Sequence, residues 1–227
     1  MTIVQPIQIQ VAQAVLEKWD MLGVQGRAEK LLQSLYAFSA EQKQMASWQI
    51  DNAYKEIAEK RIMPGPTGES NTLSNQGRGT FLCYSNITSD KAKVGLVGQI
   101  FTALIAGNTV ITVGPEGQQI MDFIMPFVPE GVIQNVAESA KDSLIEAEDL
   151  AGVAVICEPN QAIQLNQALA AKSGLICQLV AETDSETLST IAKPHYILRF
   201  VTERTVSNNT TAIGGNATLL ELGSMSD

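Results

Sequence analysis

The stretch TFLCYSNITSDKAKVGLVGQIFTALIAGNTVITV, residues 80–113, holds a complete strand, helix, strand unit. Residues 80–84 form a short run of apolar and aromatic side chains, the composition of a buried strand. Asp90 stands where a helix N-cap is expected, and apolar residues then continue to Ala106. Gly107 follows, placed to end the helix in a left-handed conformation, and TVITV at 109–113 supplies a second strand. Two apolar strands joined through a helix make a crossover, the connection that parallel neighbours require.

Towards the C-terminus the alternation repeats. A helix is expected over 118–127, a strand over 132–136, a helix over 142–147 and a strand over 153–156. A helix over 159–172, closed by Gly174, then leads to a strand over 175–180. Five strands alternating with helices predict an α/β fold: a Rossmann-like, doubly wound, largely parallel sheet covered on both faces.

Towards the N-terminus the first sixty residues have helical period. Val11, Val15, Trp19 and Leu22 form one stripe; Ala28, Leu31, Leu32, Leu35 and Tyr36 form another after the glycines Gly23 and Gly26. Ser39 and Gln42 resemble a capping box that opens a third helix, with Met45, Trp48 and Ile57 on its buried face. Residues 63–71, with Pro64, Pro66 and two glycines, read as a loop or connecting arm. After residue 180, the segment 195–206 alternates Ile197, Phe200, Val201 and Val206 with Arg199, Thr202, Glu203 and Arg204, which suits a half-exposed edge strand beside 71–80. The expected organisation is an N-terminal helical layer at 1–62, a Rossmann-like domain at 63–192 and a C-terminal β-flap and tail at 193–227, packed as one compact unit.

Composition bounds the function. In 227 residues, 15 basic side chains against 24 acidic ones give a net charge of −9, which argues against wrapping a nucleic acid. Three dispersed cysteines and one histidine offer neither a disulfide framework nor a thiol and imidazole metal site. With no basic leader and no long apolar run, a cytoplasmic chain without a membrane span is expected.

The stretch Pro64-Gly-Pro-Thr-Gly-Glu-Ser-Asn71, with Gly77-Arg-Gly79, Gly98-Gln99 and Ala106-Gly-Asn-Thr-Val110, resembles the aldehyde dehydrogenase superfamily. It is most similar to the pyrroline-5-carboxylate dehydrogenase module of the bifunctional proline utilization A proteins. Arg199-Phe-Val-Thr-Glu-Arg204, Ser207-Asn-Asn-Thr210 and Gly214-Gly-Asn-Ala-Thr218 resemble the extreme C-terminus of the same proteins. In that family a catalytic half bearing the nucleophilic cysteine lies between the strands matching 175–182 and 199–206; here only 183–198 joins them. The resemblance is therefore closest to the non-catalytic, aldehyde-dehydrogenase-like C-terminal domains of some of these proteins, which cover the tunnel for pyrroline-5-carboxylate and help form the dimer.

The same comparison implies a damaged cofactor side. Val113 stands where the family has a lysine for the adenine ribose, and Ile156-Cys-Glu158 where it has a Thr-Gly-Ser turn near the pyrophosphate. Thr88-Ser-Asp90 replaces a Pro-Trp-Asn run, while Glu182 matches the general base. No catalytic, cofactor or metal residue is nominated, and NAD binding is expected to be lost. The candidate interaction residues are Arg199, Glu203, Arg204, Asn208, Asn209, Gly214, Gly215 and Asn216. The expected partner is a second copy of the chain or a proline-oxidising enzyme. Two other readings stay open: a fragment or subunit of a working NAD-dependent pyrroline-5-carboxylate dehydrogenase, and a free-standing nucleotide sensor.

Single features have plainer readings. Cys83, Cys157 and Cys177 are expected to be buried strand residues, Glu182 a solvated strand end, and His195 a turn or strand-edge residue. Gly95 and Gly98 are expected to mark close helix packing, since their spacing is not that of the dinucleotide fingerprint. Trp48 and Met45 are expected in the core.

Overall fold

The computed structural model describes residues 6–209. Its helices are α1 (Ile7–Asp20), α2 (Gly23–Ser34) and α3 (Ala40–Glu56), followed by strands β1 (Arg61–Met63), β2 (Glu69–Gly77) and β3 (Thr80–Ser85). Next come α4 (Asp90–Ile105), β4 (Thr109–Val113), α5 (Gly114–Ile124), β5 (Ile133–Val136), α6 (Lys141–Ile145), β6 (Leu150–Ile156), α7 (Pro159–Ala171) and β7 (Gln178–Glu182). A 3-10 helix, Pro194–Phe200, leads into β8 (Val201–Asn209).

Five strands form a sheet in the order β5-β4-β3-β6-β7, with every neighbouring pair parallel. The apolar run of β6 and the Val, Ile and Thr of β4 follow from this, because every residue of both strands is buried. Alternate side chains divide the core. Phe81 and Cys83 join α2, α3, α4, α5 and Trp19 of α1 in one cluster, and Leu82 and Tyr84 join α6, α7 and Ile9 of α1 in the other. Gly152 is required beneath Phe81: a Cβ there would lie 2.2 Å from the phenyl ring. This is an α/β, doubly wound parallel sheet with an N-terminal helical layer, as the strand and helix order predicts.

The second sheet, β1-β2-β8, is antiparallel and forms the flap. Its long pair runs in continuous register from Glu69↔Asn209 to Gly77↔Val201. The segment read as a loop or arm, residues 63–71, thus begins on the last residue of β1 and contains the start of β2. The prolines sit between the two strands at positions where no ladder bond is needed.

A polar knot roots the flap. Arg27 Nε donates to the Ile105 carbonyl at 3.0 Å and Arg27 Nη1 to the Asp20 carbonyl at 2.7 Å, while Asp20 Oδ1 accepts from Gly77 N at 3.3 Å. Asn108 Nδ2 donates to the carbonyls of Ala103 and Phe200 at 3.1 and 2.9 Å, and its Oδ1 accepts from Gly79 N. Burial lowers the Arg27 guanidinium to about 10, opposed by the charge of Asp20. Phe200 itself is fully buried against Phe81 and Tyr196, with ring centroids 4.9 and 5.2 Å away.

Several local expectations are corrected. Ser89, rather than Asp90, caps α4 by accepting from Ala92 N at 3.0 Å. Residues 194–200 are helical, and the reason is spacing: Ile197 and Phe200 are three apart, so a strand would point them to opposite faces, whereas both are buried. In α1 the buried stripe is Ile9, Ala12 and Trp19, with Val11 on the outside. Leu22, Leu32, Tyr36 and Trp48 are also exposed, and Met45 is only partly buried. The Ser39–Gln42 capping box is present, as expected.

Candidate functional site

In doubly wound sheets, ligands bind beyond the carboxyl ends of the strands where the strand order reverses. Here that point lies between the ends of β3 and β6. After β6, Glu158 is the N-cap of α7: its backbone carbonyl accepts from Gln161 N at 3.0 Å, and Gln161 Oε1 accepts from Glu158 N at 3.2 Å. Pro159 occupies the first turn. The helix terminus that could receive an anion therefore carries an anion of the chain's own.

Beside it, Ile156 and Cys157 are buried, and Val113 is the N-cap of α5. Ser85, Lys93, Val113 and Glu116 line a cavity of about 40 Å³, well below the few hundred Å³ typical of ligand pockets. A wider groove of about 590 Å³ runs between α6 and α7 past Tyr84, Asn86, Lys141 and Lys172. Lys141 Nζ stands 5.1 Å from the centre of the Tyr84 ring.

Glu182 corrects the reading of a solvated strand end. It is 1% exposed, and its carboxylate accepts three backbone amides: Asp184 N at 3.0 Å, Thr190 N at 2.8 Å and Ile191 N at 3.0 Å. The segment that follows it thus occupies three of the roughly four acceptor positions of the carboxylate. That segment packs Leu188 and Ile191 into the core beside α4. A Cβ on Gly95 would fall 2.8 Å from Leu188 Cδ2, and one on Gly98 2.9 Å from Ile191 Cγ2. Both glycines therefore serve close packing. Gln49 Nε2 donates to the Ile191 carbonyl at 2.9 Å, and Trp48 Nε1 to the Ala192 carbonyl at 3.1 Å, which secures the segment from α3.

None of the thiols is a ready nucleophile. Burial pushes Cys83 and Cys157 up, and pushes Cys177 up to about 11 against the pull of Lys172. Cys83 lies in β3, as expected, whereas Cys157 follows β6 and Cys177 precedes β7. His195 is exposed on the 3-10 helix, with Nδ1 3.0 Å from Glu56 Oε2. Among the described residues no group of three His, Cys, Asp or Glu side chains could hold a metal ion, and no helix is long and apolar enough to cross a membrane.

The candidate interaction residues fall in three places. Arg199 is exposed on the 3-10 helix; Glu203, Arg204, Asn208 and Asn209 lie exposed along β8. Gly214, Gly215 and Asn216 lie outside the described residues. β8 is an edge strand of the flap, as β1 is, and pairs on one side with β2. The rooting residues Asp20, Arg27 and Asn108 were not singled out from the sequence. Asn108 had a visible signal, its place in Ala106-Gly-Asn-Thr-Val110, whereas Asp20 and Arg27 had none.

A parallel sheet of this order, with helices on both faces and an antiparallel flap, defines an aldehyde-dehydrogenase-like Rossmann domain. The chain is homologous to proline utilization A. It is 29% identical over 175 residues to the bifunctional protein PutA of Escherichia coli (strain K12), a match covering 75% of this chain and 12% of that protein. It is 30% identical over 161 residues to the bifunctional protein PutA of Rhizobium meliloti, covering 71% and 12%. The match thus spans about an eighth of those relatives. A structure of proline utilization A with proline bound in remote sites superposes with a TM-score of 0.66 at 26% identity, over 78% of this chain and 21% of that one. An NAD-dependent benzaldehyde dehydrogenase from Corynebacterium glutamicum shares the fold, with a TM-score of 0.61 at 15% identity, over 78% and 44%. No family model matches the sequence.

Proposed function

We propose that this chain is a non-catalytic, aldehyde-dehydrogenase-like module of proline catabolism that works by association. It either lids the substrate-channelling tunnel of a proline dehydrogenase/pyrroline-5-carboxylate dehydrogenase or holds copies of the chain together. The observation that carries the reading is the Glu182 carboxylate, which matches the family's general base in sequence yet is buried and held by three amides of the short segment joining β7 to the flap. A base must be free to take a proton from substrate or water. Homology to bifunctional PutA proteins supports the link to proline. Three thiols held protonated suit a reducing cytoplasm.

The alternative, part of a working NAD-dependent dehydrogenase, is favoured by the open groove between α6 and α7. Calorimetric titration with NAD separates the two. The Glu158 cap and the loss of the lysine at Val113 lead us to expect no heat of binding up to millimolar nucleotide; a micromolar dissociation constant would establish the alternative.

Association is tested by shortening the flap. Removing 203–227 leaves Phe200 and Val201, both buried, in place. The truncated chain is expected to keep the parent's melting temperature while losing self-association or binding to the proline-oxidising enzyme in light scattering. An unchanged mass and unchanged binding would refute the role of the flap.

A further inference from the structure

Between α3 and the 183–192 segment opens a groove of about 670 Å³, a volume in the range of small-molecule sites. One stripe of α3 forms its floor. Glu41, Met45, Trp48 and Asp51 recur at steps of three and four and so share a face, and the helical rise puts the ends of the stripe about 15 Å apart. Carboxylates thus stand at both ends, with a thioether and an indole between them.

The facing wall is the 183–192 segment, which contributes Glu186 and Leu188. The Trp48 indole is held in place, since its N–H donates to the Ala192 carbonyl at 3.1 Å, yet the residue is 36% exposed. Its ring already attracts one cation: Lys55 Nζ stands 6.0 Å from the ring centre, and Lys55 is not part of the groove wall.

Charge selects the class of ligand. Among the described residues Lys91 is the only cationic side chain lining the groove, and it stands 3.3 Å from Glu41. Asp51 and Glu186 are exposed and form no ion pair among the described residues, which leaves the groove net negative and disfavours a nucleotide or another anion. A single metal ion does not fit either, because among the described residues no three His, Cys, Asp or Glu side chains come close enough to hold one. Carboxylates spread along an apolar and aromatic wall match a ligand whose positive charges are themselves spread along a hydrocarbon chain. We propose that this groove binds a linear polyamine, with its ammonium groups on Asp51 and Glu186 and its methylenes on Met45, Trp48 and Leu188. Such a site operates whether or not the chain associates.

Spermidine is the probe. Titrated calorimetrically at low salt, it is expected to bind with one equivalent per chain. The chain has two tryptophans and Trp19 is fully buried, so covering the exposed ring should also shift the emission of Trp48 to shorter wavelength. Asp51→Asn with Glu186→Gln should weaken binding about fivefold or more, and Trp48→Phe, which keeps a ring, should weaken it less. Glu17→Gln with Glu130→Gln removes the same charge at exposed positions outside the groove and should leave the affinity unchanged. The four acidic positions are exposed, so an unchanged melting temperature checks that each of these folds is intact. Equal weakening by the Glu17 and Glu130 changes overturns the site, reducing the binding to general attraction by a chain of net charge −9, and so does an absence of heat up to millimolar spermidine. Magnesium chloride that binds as tightly as spermidine and competes with it overturns the polyamine in favour of a point charge.

Discussion

Glu182→Ala is expected to destabilise the fold by about 3–5 kcal/mol, because hydrogen bonds to a charged acceptor contribute roughly 1.5–3 kcal/mol each and removing the carboxylate strands three amides. Those amides belong to Asp184, Thr190 and Ile191. Part of the loss is offset by no longer burying a charge, which keeps the figure below the simple sum. Glu182→Gln keeps one acceptor oxygen in the same shape and should lose less than the alanine variant. Urea unfolding of the three proteins measures this order. A melting curve for Glu182→Ala that overlays the parent would remove the clamp, and with it the observation on which the non-catalytic reading leans.

Phe200→Ala should cost a comparable amount, about 3–5 kcal/mol, the usual range for emptying a buried phenyl site. Phe200 packs on Phe81 and Tyr196, and its carbonyl accepts from Asn108, so the cavity would open where the flap joins the parallel sheet. The contrast with the shortened flap is informative: one lost ring in the root should harm stability more than the deletion of 203–227. If thermal melting ranks them the other way, the flap is part of the folding core and its proposed role in association loses its structural basis.

Both variants bear on residues whose importance was only half legible. The parallel sheet could be read from the chain because strands buried on both faces, such as TVITV and LAGVAVI, carry no charged residue and are rich in Val, Ile and Leu, and because Gly107 marks the end of α4 with a φ of +98°. The partnership of β2 with β8 was visible in part, from the alternation within 195–206 and the strand-like segment 71–80 expected beside it. The burial of Glu182 was not, since its partners are backbone amides and every residue type carries the same amide. Trp48 has the spacing of a core residue, yet the 183–192 segment takes only its indole N–H and leaves the ring at the edge of a groove.

By itself, then, the amino-acid order determined the succession of strands and helices, their parallel arrangement and the resemblance to proline utilization A, all of which rest on local periodicity and on runs of consecutive residues. Only the tertiary structure decided that Glu182 is a clamp and that Arg27, Asp20 and Asn108 root the flap. Each of these depends on groups far apart in the chain meeting in space: Arg27 reaches Ile105, Asp20 reaches Gly77, and Asn108 reaches Phe200. A hydrogen bond formed across such separations leaves no periodic trace, because its geometry is set by the packing of whole elements rather than by neighbours in sequence.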